Sequence, residues 1–300
     1  GLLLARTLSD RGKRVVVHEK SRGVGGRMAT KRVGSSTFDQ GAQFFTVRDE
    51  RFASVVAGWR ARGLIVNWPT ENGDRLIGRG GMTAVPKALA EGLDVRREAR
   101  VTAARRDGSL GWELDVENQD VIRAGCLVLA LPVPQSLSLL KAGAVALPPG
   151  AGEELARLTY HPCLALLLVL DGPSAVPIGG VAPGGEAIRW ISDNTSKGVS
   201  AGPAGAVTVH TTPAFAERHY GLGVEEIAAL LLPEITAALG GAEVTATVLH
   251  RWRFSEPSAV HSEPFVWLDG FRLGFCGDAF GGPRVEGAAV SGLALAERIA

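Results

Sequence analysis

A run of valines that ends in an acid constrains this chain most. Val15, Val16 and Val17 lead through His18 to Glu19, and residues 20–27 then read KSRGVGGR. Consecutive β-branched residues favour a buried strand of a parallel sheet. In open α/β sheets, ligands bind just beyond the carboxyl ends of the strands. A carboxylate at that point can take two ribose hydroxyls. Gly23, Gly25 and Gly26 let the backbone approach a pyrophosphate with no Cβ in the way. Arg22 and Arg27 can neutralise its charge. Residues 19–46 therefore read as the cradle of a dinucleotide, closed by DQGAQFFT at 39–46.

The segment before the valines supports this. Gly1 opens an amphipathic helix with Leu2, Leu4, Ala5 and Leu8 on one side, stopped by Asp10-Arg11-Gly12. A helix that starts on glycine, followed by a strand ending in an acid, is the second half of a βαβ unit. On this reading Gly1 is the third glycine of a G-x-G-x-x-G fingerprint, and the central strand of the sheet lies upstream of residue 1. The first residue is not a methionine.

A net charge of +1 gives no electrostatic case for a nucleic acid or a membrane surface as partner. The longest apolar run, 163–170, is too short to span a bilayer. Cys126, Cys163 and Cys276 are odd in number and form no C-x-x-C. They read as reduced thiols of a cytoplasmic protein, with no metal site.

Further along, Gly41 and Ala42 are small enough for backbone to lie against a flat ring. Gln43 can hydrogen-bond ring edges, and Phe44 and Phe45 can wall it. Helices are expected at 47–62 and 83–90, and turns at 67–69 and 71–74. Residues 94–105 read as one strand, 112–116 and 120–123 as a hairpin, and 126–131 as a strand buried on both faces. Residues 136–264 form a second, β-rich unit. The histidines at 161, 210 and 250 lie on or beside apolar strands and read as structural. The chain then returns with a strand at 271–276 that ends in Gly277-Asp278. A helix follows at 284–300, opening on Val285, Glu286, Gly287 and Ala288. The aspartate can bind a ribityl hydroxyl, and the helix amino terminus can face the electron-rich pyrimidine edge of a flavin.

Three blocks together, EKSRGVGGRMATKR, DQGAQFFT and CGDAFGGPRVEGAAVSG, resemble the renalase branch of the FAD-dependent amine-oxidase superfamily, and most closely the bacterial renalases. Arg251-Trp252-Arg253-Phe254 and residues 194–197 share the likeness more loosely. The resemblance implies an α/β fold. Its Rossmann-like FAD-binding domain, of the two-dinucleotide-binding type, would comprise residues 1–46, 92–135 and 265–300. An interleaved β-rich α+β substrate domain would comprise 47–91 and 136–264. Carried over motif by motif, the noncovalent FAD meets Gly1, Glu19, Lys20, Gly26, Arg27, Gly41, Ala42, Gln43, Phe44, Val101, Gly277, Asp278, Val285, Glu286, Gly287 and Ala288. The substrate pocket draws on Phe44, Phe45, Thr46, Val47, Arg48, Asn194 and Ala279, the last smaller than the aromatic residue the family leads one to expect there.

The implied activity is hydride abstraction from C2 or C6 of an isomeric dihydronicotinamide dinucleotide, giving NAD(P)+ and, with O2, hydrogen peroxide. The flavin carries the chemistry, so no protein nucleophile is needed. Two alternatives stay open. Amine oxidases usually face the flavin with two tyrosines, but the only tyrosines, Tyr160 and Tyr220, lie outside the flavin-facing blocks. A flavoprotein that binds nucleotide without turnover is the other.

Overall fold

The computed structural model describes residues 1–70, 73, 75–108 and 111–300. The turn expected at 71–74 lies, except for Gly73, outside the described residues.

The amino-terminal helix, Leu2–Asp10, buries Leu4, Ala5 and Leu8. It packs on the last helix, Val285–Ile299, where Gly292 faces Leu4: a Cβ at 292 would lie 3.5 Å from the Leu4 Cβ. Strand Val16–His18 pairs in parallel with Asp94–Arg96. Strand Leu127–Leu129 pairs in parallel with Leu273–Phe275, which Val266–Leu268 flanks on its other side in antiparallel sense. These two small sheets are not hydrogen-bonded to each other. The unpaired edges of Val16–His18 and Leu127–Leu129 border the same cavity.

Several local expectations shift. Residues 94–105 hold two strands, Asp94–Arg96 and Val101–Asp107. Glu98 between them adopts φ 53°, a left-handed conformation incompatible with a continuous strand. Asn67 and Trp68, expected in a turn, end the strand Ile65–Trp68, which pairs with Arg75–Gly78. Trp68 is buried there, and burial of a large aromatic side chain outweighs the turn propensity of its neighbours. The helix expected at 47–62 starts at Glu50, because the Asp49 carboxylate caps it by accepting from the amides of Arg51 and Phe52.

The second half of the molecule is an antiparallel sheet in the order Ile188–Asp193, Ala206–Thr211, Tyr160–Leu170, Val244–Pro257. Alternation along the long central strand sends Leu164, Leu166 and Leu168 to one face. There they pack on Ile227, Leu231 and Ile235 of the helix Val224–Leu239. Leu167 points the other way, onto Phe38 of the dinucleotide half. The cleft lies on that second side. Among the described residues, no helix is long and apolar enough to cross a membrane, and no cluster of side chains has the makings of a metal site.

Candidate active site

One cavity of about 3160 Å³ runs between the two parallel sheets and across the face of the antiparallel one. At its head, the Glu19 carboxylate accepts from the Ser21 amide at 2.8 Å, while the Glu19 backbone is held between Arg96 and Ala99. Gly25 and Gly26 turn the chain with φ 118° and 51°, and open space surrounds the position a Cβ of Gly26 would take. Gly1, Glu19, Lys20, Gly26, Arg27, Gly41, Ala42, Gln43, Phe44, Val101, Asp278, Val285, Glu286 and Ala288 all border the cleft. Gly277 and Gly287 do not. Gly287 lets the short turn of helix Asp278–Gly281 abut the last helix: a Cβ there would fall 2.2 Å from the Gly282 carbonyl oxygen.

Arg27 and Asp278 meet across the groove. The guanidinium donates from Nη1 and Nη2 to the two carboxylate oxygens at 2.5 and 2.8 Å, and from Nη1 to the Ser255 carbonyl at 3.1 Å. Tyr160 packs against this pair, and burial, with the Asp278 charge, pushes its hydroxyl up to about 12. The Glu286 carboxylate accepts from the amides of Arg48 and Asp49 at 2.5 and 2.8 Å, tying the last helix to the loop after Phe45.

The placement of five expected site residues differs from the sequence reading. Gln43 borders the cleft, but its amide turns inward. Nε2 donates to the Asp39 and Gly41 carbonyls at 2.5 and 3.0 Å, and Oε1 accepts from Ser192 Oγ at 2.7 Å and Lys197 Nζ at 3.5 Å. With every polar position used, Gln43 braces the loop at 39–43. Asn194 is buried away from the cleft. Its Oδ1 accepts from the Asp39 amide, and its Nδ2 donates to Ala206 O and Thr208 Oγ1. Ala279 is likewise buried and does not border the cleft. Phe45 touches the cleft, yet its ring is core, edge-on to Phe52 and Trp59. Thr46 and Arg48 line the opening, whereas Val47 belongs to the same apolar cluster as Phe45.

Behind this loop lies an ion pair that sequence reasoning missed. Lys197 Nζ donates to Asp39 Oδ2 at 2.7 Å, with both side chains fully buried. Asp39 Oδ1 accepts from Thr30 Oγ1 and the Met82 amide. Burial lowers the Lys197 pKa, opposed by the Asp39 charge.

A β-bulge shapes the opposite wall. Ile188 faces Thr211 and Trp190 faces His210, so Arg189 is the extra residue. A bulge re-aims side chains, and here both Arg189 and Trp190 reach the cleft. Arg189 forms an ion pair with Glu256 from the far edge of the sheet. The Trp190 ring lies 5.7 Å from Phe44, and the Arg75 guanidinium covers both rings, 4.2 Å from Phe44 and 4.8 Å from Trp190. His210 and Trp252 each approach the Gln40 carbonyl, at 3.1 and 2.9 Å. Burial pushes the His210 pKa down to about 4, so the ring is neutral and Nε2–H donates to that oxygen. Cys163 also borders the cleft, but burial pushes its thiol up to about 11, which removes it as a nucleophile.

The charge balance of the cleft is lopsided. Among the described residues, nineteen lysines and arginines border it against four carboxylates, those of Glu19, Glu256, Asp278 and Glu286. The whole chain carries 32 basic and 31 acidic residues. Each of the four carboxylates already accepts a hydrogen bond from the protein. A groove this basic, with glycine turns beside a carboxylate and an uncapped helix amino terminus at Val285, fits a long ligand with a diphosphate.

Comparison with known proteins agrees. The sequence profile of the flavin containing amine oxidoreductases matches residues 1–57 and 64–300. The chain belongs to that family. It is an FAD-dependent oxidoreductase. Cyclohexylamine oxidase from Brevibacterium oxydans IH-35A is similar in structure, with a TM-score of 0.74 at 13% identity over 99% of this chain and 96% of that one. Putrescine oxidase bound to putrescine gives 0.71 at 14% identity, again over 99% and 96%. A protein from Exiguobacterium sp. 255-15, provisionally assigned as a protoporphyrinogen oxidase, gives 0.76 at 14% identity over the same shares. At these identities the likeness is one of fold.

Proposed function

We propose that this oxidoreductase takes a hydride from C2 or C6 of an isomeric dihydronicotinamide dinucleotide and releases NAD(P)+. With O2 as terminal acceptor, substrate, O2 and one proton yield NAD(P)+ and hydrogen peroxide. The observation that carries this reading is the charge of the cleft. An alkylamine reaches an oxidase largely as a cation, and nineteen basic residues with no uncommitted carboxylate among the described residues disfavour it. A dinucleotide with its phosphates is attracted by the same field. The absence of Tyr160 and Tyr220 from the cleft lining points the same way, because no pair of tyrosines is available to frame an amine.

Bound FAD supplies the two-electron acceptor. Glu19, Arg27 and the glycine turn would hold its adenosine and diphosphate, and Gly41 and Ala42 would back the ring. Asp278, bonded to Arg27, and the start of the last helix would hold the ribityl and pyrimidine end. The residues facing them shape the reaction space: Phe44, Trp190 and Trp252 are flat apolar walls suited to a nicotinamide, and they keep water from the reacting carbon. His210, neutral and committed to Gln40, and Cys163, protonated, take no proton from a substrate whose C–H bond leaves as hydride.

Anaerobic mixing of the holoenzyme with 2- and 6-dihydro-NAD(P) checks this: the flavin absorbance is expected to bleach, with NAD(P)+ appearing in equal amount. Failure to bleach with either isomer, together with bleaching by a primary or secondary amine, would overturn it in favour of an amine oxidase.

A further inference from the structure

We infer that Arg75 is the specificity-determining residue of the substrate side, gripping a phosphate of the nucleotide through the Nε–Nη2 edge of its guanidinium. The inference rests on the reading that the substrate is a dihydronicotinamide nucleotide.

Three observations converge on Arg75. The first is its missing counter-charge. Arg27 is neutralised by Asp278 and Arg189 by Glu256, whereas among the described residues no carboxylate pairs with Arg75. Yet it is partly buried on the cleft wall, and burial lowers its pKa with no neighbouring charge in opposition. A cation held in this way is stabilised by an anion that arrives with the ligand.

The second is its rigidity. The guanidinium lies against Phe44 and Trp190, and Nη1 donates to the Gly179 carbonyl at 2.5 Å. That carbonyl is in reach because Gly179 and Gly180 take φ 92° and 72°. A side chain at 180 would in any case strike the Trp190 ring, 2.4 Å from where its Cβ would lie. The two rings and the fixed acceptor restrain the guanidinium, and among the described residues Nε and Nη2 have no protein acceptor. Two parallel N–H donors in a fixed plane match two oxygens of a phosphate.

The third is the company it keeps. The Trp190 ring lies against Arg75, and its Nε1 is buried without an acceptor among the described residues. Phe44, directly after the loop that backs the flavin ring, supplies the face on which a nicotinamide stacks. Ring and phosphate of one nucleotide can thereby be read by adjacent residues.

Stopped-flow reduction of the holoenzyme separates the possibilities. The donors are the 6-dihydro isomers of nicotinamide mononucleotide and of nicotinamide riboside, which differ only in the phosphate. Arg75→Gln is expected to raise the half-saturating concentration of the mononucleotide on the order of 10- to 100-fold, the worth of a charge-assisted hydrogen-bond pair. The limiting reduction rate and the constants for the riboside should stay within about twofold. Arg75→Lys, which keeps the charge and loses the fork, should recover only part of the affinity. Equal losses for riboside and mononucleotide would overturn the assignment while leaving the hydride reaction intact. If neither donor reduces the wild-type flavin, the proposed reaction falls. Arg75 is then decided by titration with oxidised nicotinamide mononucleotide and riboside, followed by the flavin spectrum. Tighter binding of the mononucleotide that Arg75→Gln abolishes supports the phosphate contact, and equal binding of both overturns it.

Discussion

Arg27 and Asp278 are 251 residues apart in the chain, and the guanidinium of one lies against the carboxylate of the other through two hydrogen bonds. The pair joins the glycine turn after the first strand to the end of the last one, so the two sides of the groove hold one another. Arg27→Met leaves the Asp278 side chain, only 10% exposed, without its charge partner. Arg27 itself is 29% exposed, which screens the pair, so a cost of about 1–3 kcal/mol is expected rather than that of a fully buried pair. Flavin content should fall with it. Urea denaturation and the ratio of flavin to protein absorbance check both, and unchanged values would remove the pair from the groove's support.

Lys197 and Asp39 join the halves at greater depth. Both side chains are fully buried, and removing one partner strands a charge where water cannot reach. Lys197→Met is expected to cost about 3–5 kcal/mol. It also removes a donor to Gln43 Oε1, so the loop at 39–43 should loosen and the bound flavin should become more exposed to solvent quenchers. A urea midpoint within error of wild type would contradict this account.

Gly41 is required for a reason of space. A Cβ there would fall 2.0 Å from the carbonyl oxygen of Arg27, which also accepts from the Ala42 amide. Backbone cannot yield as a flexible side chain can. Gly41→Ala is expected to push the two cofactor segments apart and to purify largely without flavin. Recovery of a fully yellow protein would show that the loop has slack.

The parts of this site that were legible in the sequence are those whose chemistry is local. Glu19 after three valines and glycines at 23, 25 and 26 read as a dinucleotide cradle within a dozen residues, and these residues border one groove. What stayed hidden depends on partners far away. Gln43 reads as a residue that hydrogen-bonds ring edges until its Nε2 is seen to donate to the Asp39 and Gly41 carbonyls and its Oε1 to accept from Ser192 and Lys197. Asn194 reads as a substrate contact, whereas nothing local marks Lys197, three residues on, as the buried partner of Asp39. Arg189 and Trp190 alternate like any strand pair in the sequence. Only the bulge opposite Thr211 and His210 turns both to one side, and a bulge in this strand leaves no glycine or proline to announce it.

His210 gives the protein a pH dependence that can be read in advance. Burial, with the Lys197 and Arg189 charges acting the same way, holds its pKa near 4 in the folded state, against 6.5 for a free imidazole. Between those two values the unfolded chain binds a proton that the native one does not, so stability rises with pH across the window. The contribution is complete above 6.5 and drains away as pH falls towards 4. His18 and His250, whose pKa values burial also lowers, act in the same direction. Urea midpoints should therefore drop between pH about 6.5 and about 4.5 beyond what carboxylate protonation brings. His210→Gln, which keeps a donor for the Gln40 carbonyl and cannot titrate, should flatten part of that slope. If the variant loses stability over this range as steeply as wild type, the neutral imidazole is not its source.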